Sequence, residues 1–394
     1  MIVEDAEMQT DSATAIRLMV DFVERTGVGA EAGQQRYLWT DAFALLNALE
    51  LHRETGEDRW RDIAETLIAD VHRTLGRHRP DDMRTGWLSG LGENEGARHP
   101  TRGGLRIGKP LPERGPDEPY DERLEWDRDG QYWHYLTKWM DALSRAAVLL
   151  DEPTYLTYAI ELAEAAYPRF LQASPSGAPA GLAWKMSVDL SRPQVAATSR
   201  HDALDGYVTF RWLGRTGVAA GLAEEAAILC GLAEGGGWAT SDPLGLGGLL
   251  LDACRLAMLP DRRVNDERLI GEILTGVDVG LTHFLRQSTL QLPPGSRLGF
   301  RELGLAIGLQ TLDAIAEAAA ASPNLTRFVS TQLEELRGKS SVSERITSFW
   351  SDPQHRNASS WMDHRDINDV MLAAALLDAY VGTSGSPQKR QRDR

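Results

Sequence analysis

Several things are scarce in this 394-residue chain, and each scarcity excludes something. There are two cysteines, Cys230 and Cys254, both inside apolar text (AILCGLA and LDACRLA), so they read as small core residues and not as a disulfide framework or a zinc site. There is no basic excess. The formal net charge is −15, so the chain gains nothing from neutralising phosphates and nucleic acid is not an expected partner. No apolar run approaches the roughly 20 residues that cross a bilayer. The opening MIVEDAEMQTDSATA lacks the apolar core of a secretion signal. The expectation is a cytoplasmic protein without a membrane partner, monomeric or homodimeric. The tail GTSGSPQKRQRDR is small, polar and basic, and residues 383–394 are expected to be disordered.

Strand signals are also scarce, whereas helical periodicity runs through most of the chain in two alternating textures. Residues 57–76 place Trp60, Ile63, Ala64, Leu67, Val71 and Leu75 on one stripe with charges opposite, which predicts a helix with one wet face. Residues 38–55 are apolar in most directions, which predicts a helix buried all round. Amphipathic segments recur near 11–27, 57–76, 154–172, 217–234, 266–287 and 324–348. Buried ones recur near 38–55, 131–150, 205–214, 243–258, 301–320 and 367–381. The pattern predicts six pairs of an outer and an inner helix in a single domain over 1–382. Connections after inner helices are short. Those after outer helices are long, at 77–130, 173–204, 235–242, 288–300 and 349–366. In an antiparallel ring the long loops share one end, and long loops usually carry function. A faint echo between RYLWTDAFALLNALELHRETGEDRW and QYWHYLTKWMDALSRAAVLLDEPTY fits a repeated hairpin.

The layout, with the phrases RYLWTDAF, GLAWKMSVDLS, HDALDG and WMDHRDINDVML, resembles the six-hairpin glycosidase superfamily. The resemblance implies an all-α (α/α)6 barrel, a double-walled toroid of six helical hairpins. It also implies a funnel-shaped sugar site at the inner-helix N-termini. Glycoside hydrolases such as unsaturated glucuronyl hydrolases, polysaccharide lyases and epimerases of the N-acylglucosamine 2-epimerase type share that architecture, so the fold does not select the chemistry.

The long-loop ends of the six inner helices carry a set suited to sugars, with aromatic faces for C–H surfaces and polar groups for hydroxyls. They are Trp39 and Asp41; Tyr132 and His134; His201, Asp202 and Asp205; Trp238 and Asp242; Arg301 and Glu302; and Trp361, His364, Arg365 and Asp366. Each acid has an alternative role, because helix N-termini favour capping aspartates and negative charge. Asp242 before Pro243 suits a cap especially well. SRHDALDG offers an acid and a base side by side, with Asp205 close enough to raise a neighbour's pKa, or else a turn with a solvent-facing histidine. Lys185 is either a donor to substrate oxygens or a surface lysine. The loop 77–114 sets eight basic residues (Arg77, Arg79, Arg84, Arg98, Arg102, Arg106, Lys109 and Arg114) against five acids. It is either an anion-holding lid or a solvated one. No HExxH or CxxC spacing occurs, so no metal and no cofactor is expected.

The leading expectation is a carbohydrate-active enzyme acting on a small sugar or glycoside, anionic ones included, most simply a glycoside hydrolase. Asp202 would be the general acid and Asp41 or Asp366 the base, with roughly 6.5–9.5 Å between carboxyls for inversion. A sugar epimerase using His364 with His201 or His134 is the alternative, and a tailoring enzyme or a pure binding protein would sit on the same scaffold.

Overall fold

A computed structural model describes residues 2–30, 36–215 and 221–379. The tail expected to be disordered, 383–394, lies outside them. The chain is mainly helical. It clusters into two compact units, one of residues 23–234 and one of residues 1–22 with 235–394.

The helices are α1 (Ile2–Thr26), α2 (Leu38–Thr55), α3 (Asp58–Leu75), α4 (Glu93–Arg98), α5 (Glu122–Asp127), α6 (Trp133–Leu149), α7 (Thr154–Phe170), α8 (Arg200–Gly214) and α9 (Leu222–Ala233). They continue as α10 (Pro243–Ala257), α11 (Val264–Arg286), α12 (Gly299–Gln310), α13 (Leu312–Ala320), α14 (Pro323–Arg337), α15 (Ser341–Ser351), α16 (Ser359–Met362) and α17 (Arg365–Leu377).

In the 23–234 unit, α2, α6 and α8 pack side by side as an inner row, and α3, α7 and α9 back them in turn. The two textures explain the layering. In α2 every residue from Leu38 to Leu51 is buried. In α3 the buried set is mainly the predicted stripe: Trp60, Ala64, Leu67, Val71 and Leu75. The tight turn between them closes on Gly56, whose φ of 67° suits glycine, with its N–H donated to His52 O.

The two long connections of this unit are ordered. Residues 171–198 form antiparallel strands β2 (Leu171–Ala173), β3 (Pro179–Met186) and β4 (Pro193–Thr198), and β3 also pairs with β1 (Gln131–Tyr132) ahead of α6. Tyr132 stands opposite Lys185 in that pairing. The sheet corrects the expectation of a structureless loop over 173–204. Its signal is the burial pattern of β3, where Leu182, Ala183, Lys185 and Met186 are buried while Trp184 keeps partial exposure.

Lys185 also corrects expectation, being neither a surface lysine nor a free donor. It is fully buried. Its Nζ donates to Glu125 Oε1 at 2.9 Å and to the carbonyls of Glu125 and Arg128 at 2.8 Å each. Three oxygens replace its water shell, and β3 is thereby fastened to α5.

The basic loop 77–114 is largely solvent-exposed between 80 and 99, and its arginines are paired with the protein's own acids and carbonyls. Arg106 is buried against Asp129 and the carbonyls of Arg77 and Thr74. Arg84 pairs with Asp82 and Glu113, Arg79 with Asp81, and Arg102 with Glu161. Arg106 is thus paired in the interior, while Arg84 and Arg102 are paired at the surface.

In the other unit α10, α12 and α17 form the inner row. Helix α11 packs on α10, α14 on α11 and α13, and α15 on α12 and α17. The helix expected over 301–320 breaks at Thr311, whose Oγ1 donates to Gly308 O (2.7 Å) and Leu250 O. That composition, Gly299–Ala320, is long and apolar enough for a membrane span but is mostly buried. The helix expected over 324–348 turns at Gly338, where Lys339 Nζ reaches back to Asp278 and to Thr282 Oγ1 on α11.

Glycines set the tightest contact of this unit. A Cβ built on Gly247 of α10 would lie 2.0 Å from Gly304 O of α12. One built on Gly308 would lie 2.6 Å from Gly247 Cα, so the two backbones touch.

Candidate active site

Three inner-helix N-termini of the 23–234 unit supply Trp39 from α2, His134 and Tyr135 from α6, and Asp202 from α8 to one group, while Asp41 of α2 faces Arg36 and Asp70. Strand residues Tyr132 and Trp184 complete the group.

Its wall is aromatic. The His134 ring stacks on Tyr132 with centroids 5.3 Å apart and an interplanar angle of 19°. Trp184 lies 5.1 Å from Tyr132 and 5.0 Å from Trp126. Trp39 meets Tyr135 at 5.5 Å and His134 edge-on at 6.0 Å. His134, Tyr135 and Trp184 are partly exposed, and Trp126 more so. Lys109 Nζ sits between Tyr37, Trp126 and Tyr132, 5.7 to 6.0 Å from each ring. Burial, aided by the charge of Lys185, lowers its pKa.

The polar groups divide by depth. His134 Nδ1 lies 3.8 Å from Asp202 Oδ1. Burial lowers the His134 pKa to about 4; Asp205 acts against that and Lys138 with it, so the ring is neutral near pH 7. Asp202 is held by its backbone, where Trp133 Nε1 donates to its carbonyl at 2.8 Å and its own N–H reaches Ser199 Oγ, the cap of α8. Asp205, one turn on, takes Lys138 Nζ at 2.8 Å and Thr137 Oγ1 at 2.5 Å. That pairing makes Asp205 the clamp between α6 and α8.

Asp41 is 2% exposed and accepts from Arg36 Nε at 2.6 Å. Burial pushes its pKa up to about 6; Arg36 opposes the rise and Asp70 adds to it. It caps nothing, because the cap position of α2 is Tyr37, without a side-chain cap bond.

His201 is half-buried on α8. The expectation that His201 and Asp202 act side by side placed the helix start too late. Both lie inside α8, where successive residues point about 100° apart.

The remaining expected residues belong to the other unit. Asp242 caps α10, accepting from Gly245 N at 3.2 Å, as the Asp-Pro pair predicted. Its other oxygen takes Arg301 Nη1 at 2.7 Å, both side chains being about 40% exposed. Glu302 is buried and engaged by Arg297, from 2.6 to 3.1 Å, and by Trp350 Nε1 at 2.9 Å, so it serves packing. Trp238 is buried, with Gly276 giving it room. Trp361 is buried with Nε1 donating to Asp369 Oδ1 at 3.2 Å. His364 is exposed, edge-on to Phe300 at 5.7 Å, and Asp366 is half-buried in the first turn of α17.

No family model and no curated protein matches the chain. Chemistry must therefore be read from the side chains alone. Among the described residues no three His, Cys, Asp or Glu side chains gather as a metal site. What the cluster does offer is a carboxyl at Asp202, a neutral imidazole between rings, and flat apolar surfaces; Asp41, with its raised pKa, stands apart from them beside Arg36. Tyr135, Trp184 and Lys109 were missed as site residues. Tyr135 and Trp184 stand beside His134 and Lys185, which were singled out, and the partial exposure of Trp184 follows from the strand that was not foreseen.

Proposed function

We propose that the chain is a carbohydrate-active enzyme, most simply a glycoside hydrolase, with its site at the aromatic and carboxylate cluster of the 23–234 unit. The observation that carries this reading is the wall of rings beside the His134–Asp202 pair, with Asp41, a carboxyl that burial brings near neutral pKa, in the first turn of the helix that supplies Trp39. One raised acid and one ionised partner is the requirement for glycoside cleavage. The roles expected from sequence are thereby exchanged. Asp41 gives its proton to the glycosidic oxygen as the C–O bond breaks, and Arg36 receives the new carboxylate. Asp202 takes a proton from water as the water oxygen bonds to the anomeric carbon. His134, neutral and stacked, orients Asp202. The partly exposed rings of Trp184 and Tyr135 hold the sugar.

A second reading has its own support. A neutral histidine beside a carboxylate also suits proton abstraction next to a carbonyl, as an epimerase requires, with Asp41 protonating the opposite face.

The test is a panel of glycosides and free sugars, uronates included, assayed with wild type, Asp41→Asn and Asp202→Asn. New reducing ends, with a loss of about 10²–10⁴-fold in each variant, are expected. Deuterium uptake from solvent into an epimer, without hydrolysis, would move the assignment to the second reading. Turnover unchanged in both variants would end both.

We further propose that the two inner rows, α2–α6–α8 and α10–α12–α17, are arcs of an (α/α)6 toroid. Support comes from each row alone: three inner helices packed side by side, backed by α3, α7 and α9 in one row and by α11 and α15 in the other.

A further inference from the structure

A cleft of about 350 Å³ opens within the other unit, between α1, the 353–357 turn and the start of α17. Its size suits a small molecule. Three guanidiniums line it, from Arg17, Arg356 and Arg365, with the carboxylates of Asp21 and Asp369 and the ring of Trp361.

The three arginines are not equivalent. Arg365 is spoken for, with Nη2 on Asp21 at 2.8 Å and Nε on Asp369 at 3.3 Å. Arg17 has a neutral partner, Thr14 Oγ1, at 2.8 Å. Arg356 carries a buried Nε with no hydrogen-bond partner. Burial lowers its pKa; Asp369 and Asp352 counter this, while Arg17 and Arg365 add to it. Three guanidiniums and two carboxylates thus line the cleft, with Asp352 near Arg356, and desolvation is the largest cost that Arg356 bears. Asp369 and Asp352 offset part of that cost but give the buried Nε no hydrogen bond. An anionic ligand with oxygen acceptors would supply one, because a guanidinium presents paired donors to a carboxylate or a phosphoryl group.

We propose that this cleft binds the oxyanion group, carboxylate or phosphoryl, of a small molecule through Arg356 and Arg17. The body of the ligand would rest against Leu18 and Met362, which supply the apolar part of the lining. This site stands independently of the chemistry proposed for the 23–234 unit.

Calorimetric titration of the full chain with inorganic phosphate, glucose 6-phosphate and glucuronate tests it, with glucose as the neutral control. Saturable binding of at least one anion is expected, weakening with added salt and by at least about tenfold in Arg356→Gln, the size of a lost charged hydrogen bond. Which anion binds names the group. Thermal unfolding separates a ligand role from a structural one. Without ligand, Arg356→Gln should melt no lower than wild type, because it removes a desolvated charge whose buried Nε has no hydrogen bond. Arg17→Gln gives the same reading should the first variant fold poorly. The proposal is overturned if no anion binds at millimolar concentration. It is equally overturned if both variants bind within twofold of wild type, or if Arg356→Gln melts lower with binding intact.

Discussion

At Asp41, burial and pairing pull in opposite directions, and burial prevails. Moving a carboxyl from 3.8 to about 6 corresponds to about 3 kcal/mol of preference for the protonated form. The sign follows from linkage. A raised folded pKa means the folded state binds the extra proton, so the stability it contributes is complete below about pH 4 and lost as pH climbs through about 6. Asp41→Asn cannot ionise. Its stability relative to wild type should therefore rise by up to about 3 kcal/mol between pH 4 and pH 7, as read from denaturant midpoints. A shrinking difference would mean that Arg36 holds the ionised form. Turnover by wild type should fall as pH passes about 6, when the acid is spent. From sequence, Asp41 was one of several acids that either capped or catalysed. The Asp-Pro pair made Asp242 legible as a cap, because the cue is local. Glu302 was not legible as a packing residue, because its partners Arg297 and Trp350 lie before its own helix and 48 residues beyond it.

Among the elements, periodicity located the helices well and their interruptions badly. The stripe of α3 and the all-round burial of α2 stand as predicted, since both follow from which faces meet water. The breaks at Thr311 and Gly338 do not show in an apolar pattern. They come from contacts with other helices: Thr311 with Leu250, and Lys339 with α11. The strands were missed for a similar reason. Each is short, and β3 hides a charged lysine at a buried position. The α10–α12 contact supplies the sharpest test at this scale. Gly247→Ala would drive a methyl into the Gly304 carbonyl, and helix propensity alone would favour alanine by about 1 kcal/mol. Steric cost should prevail, with a net loss of about 1–3 kcal/mol in chemical unfolding. An increase in stability would show that the helices separate easily.

For the whole molecule, alternation of buried and amphipathic helices was the most legible property, because it depends on solvent exposure summed over many residues. The proposed ring rests on the resemblance and on each row alone. A closed toroid of 394 residues should have a radius of gyration of about 21 Å by small-angle scattering. A value well above that would refute the ring. The acidic balance, −15, concerns association with other molecules and leaves the architecture open.

The buried ammonium of Lys185 bears on how anything enters the aromatic cluster. Swinging β3 outward would strip that ion of three oxygens at once and leave Glu125 without its lysine partner. The frame around the rings therefore behaves as masonry and not as a door. Entry and exit fall to small rotations of Trp184 and Tyr135, so the pace of exchange should be set by ring flips in nanoseconds and not by loop opening in milliseconds.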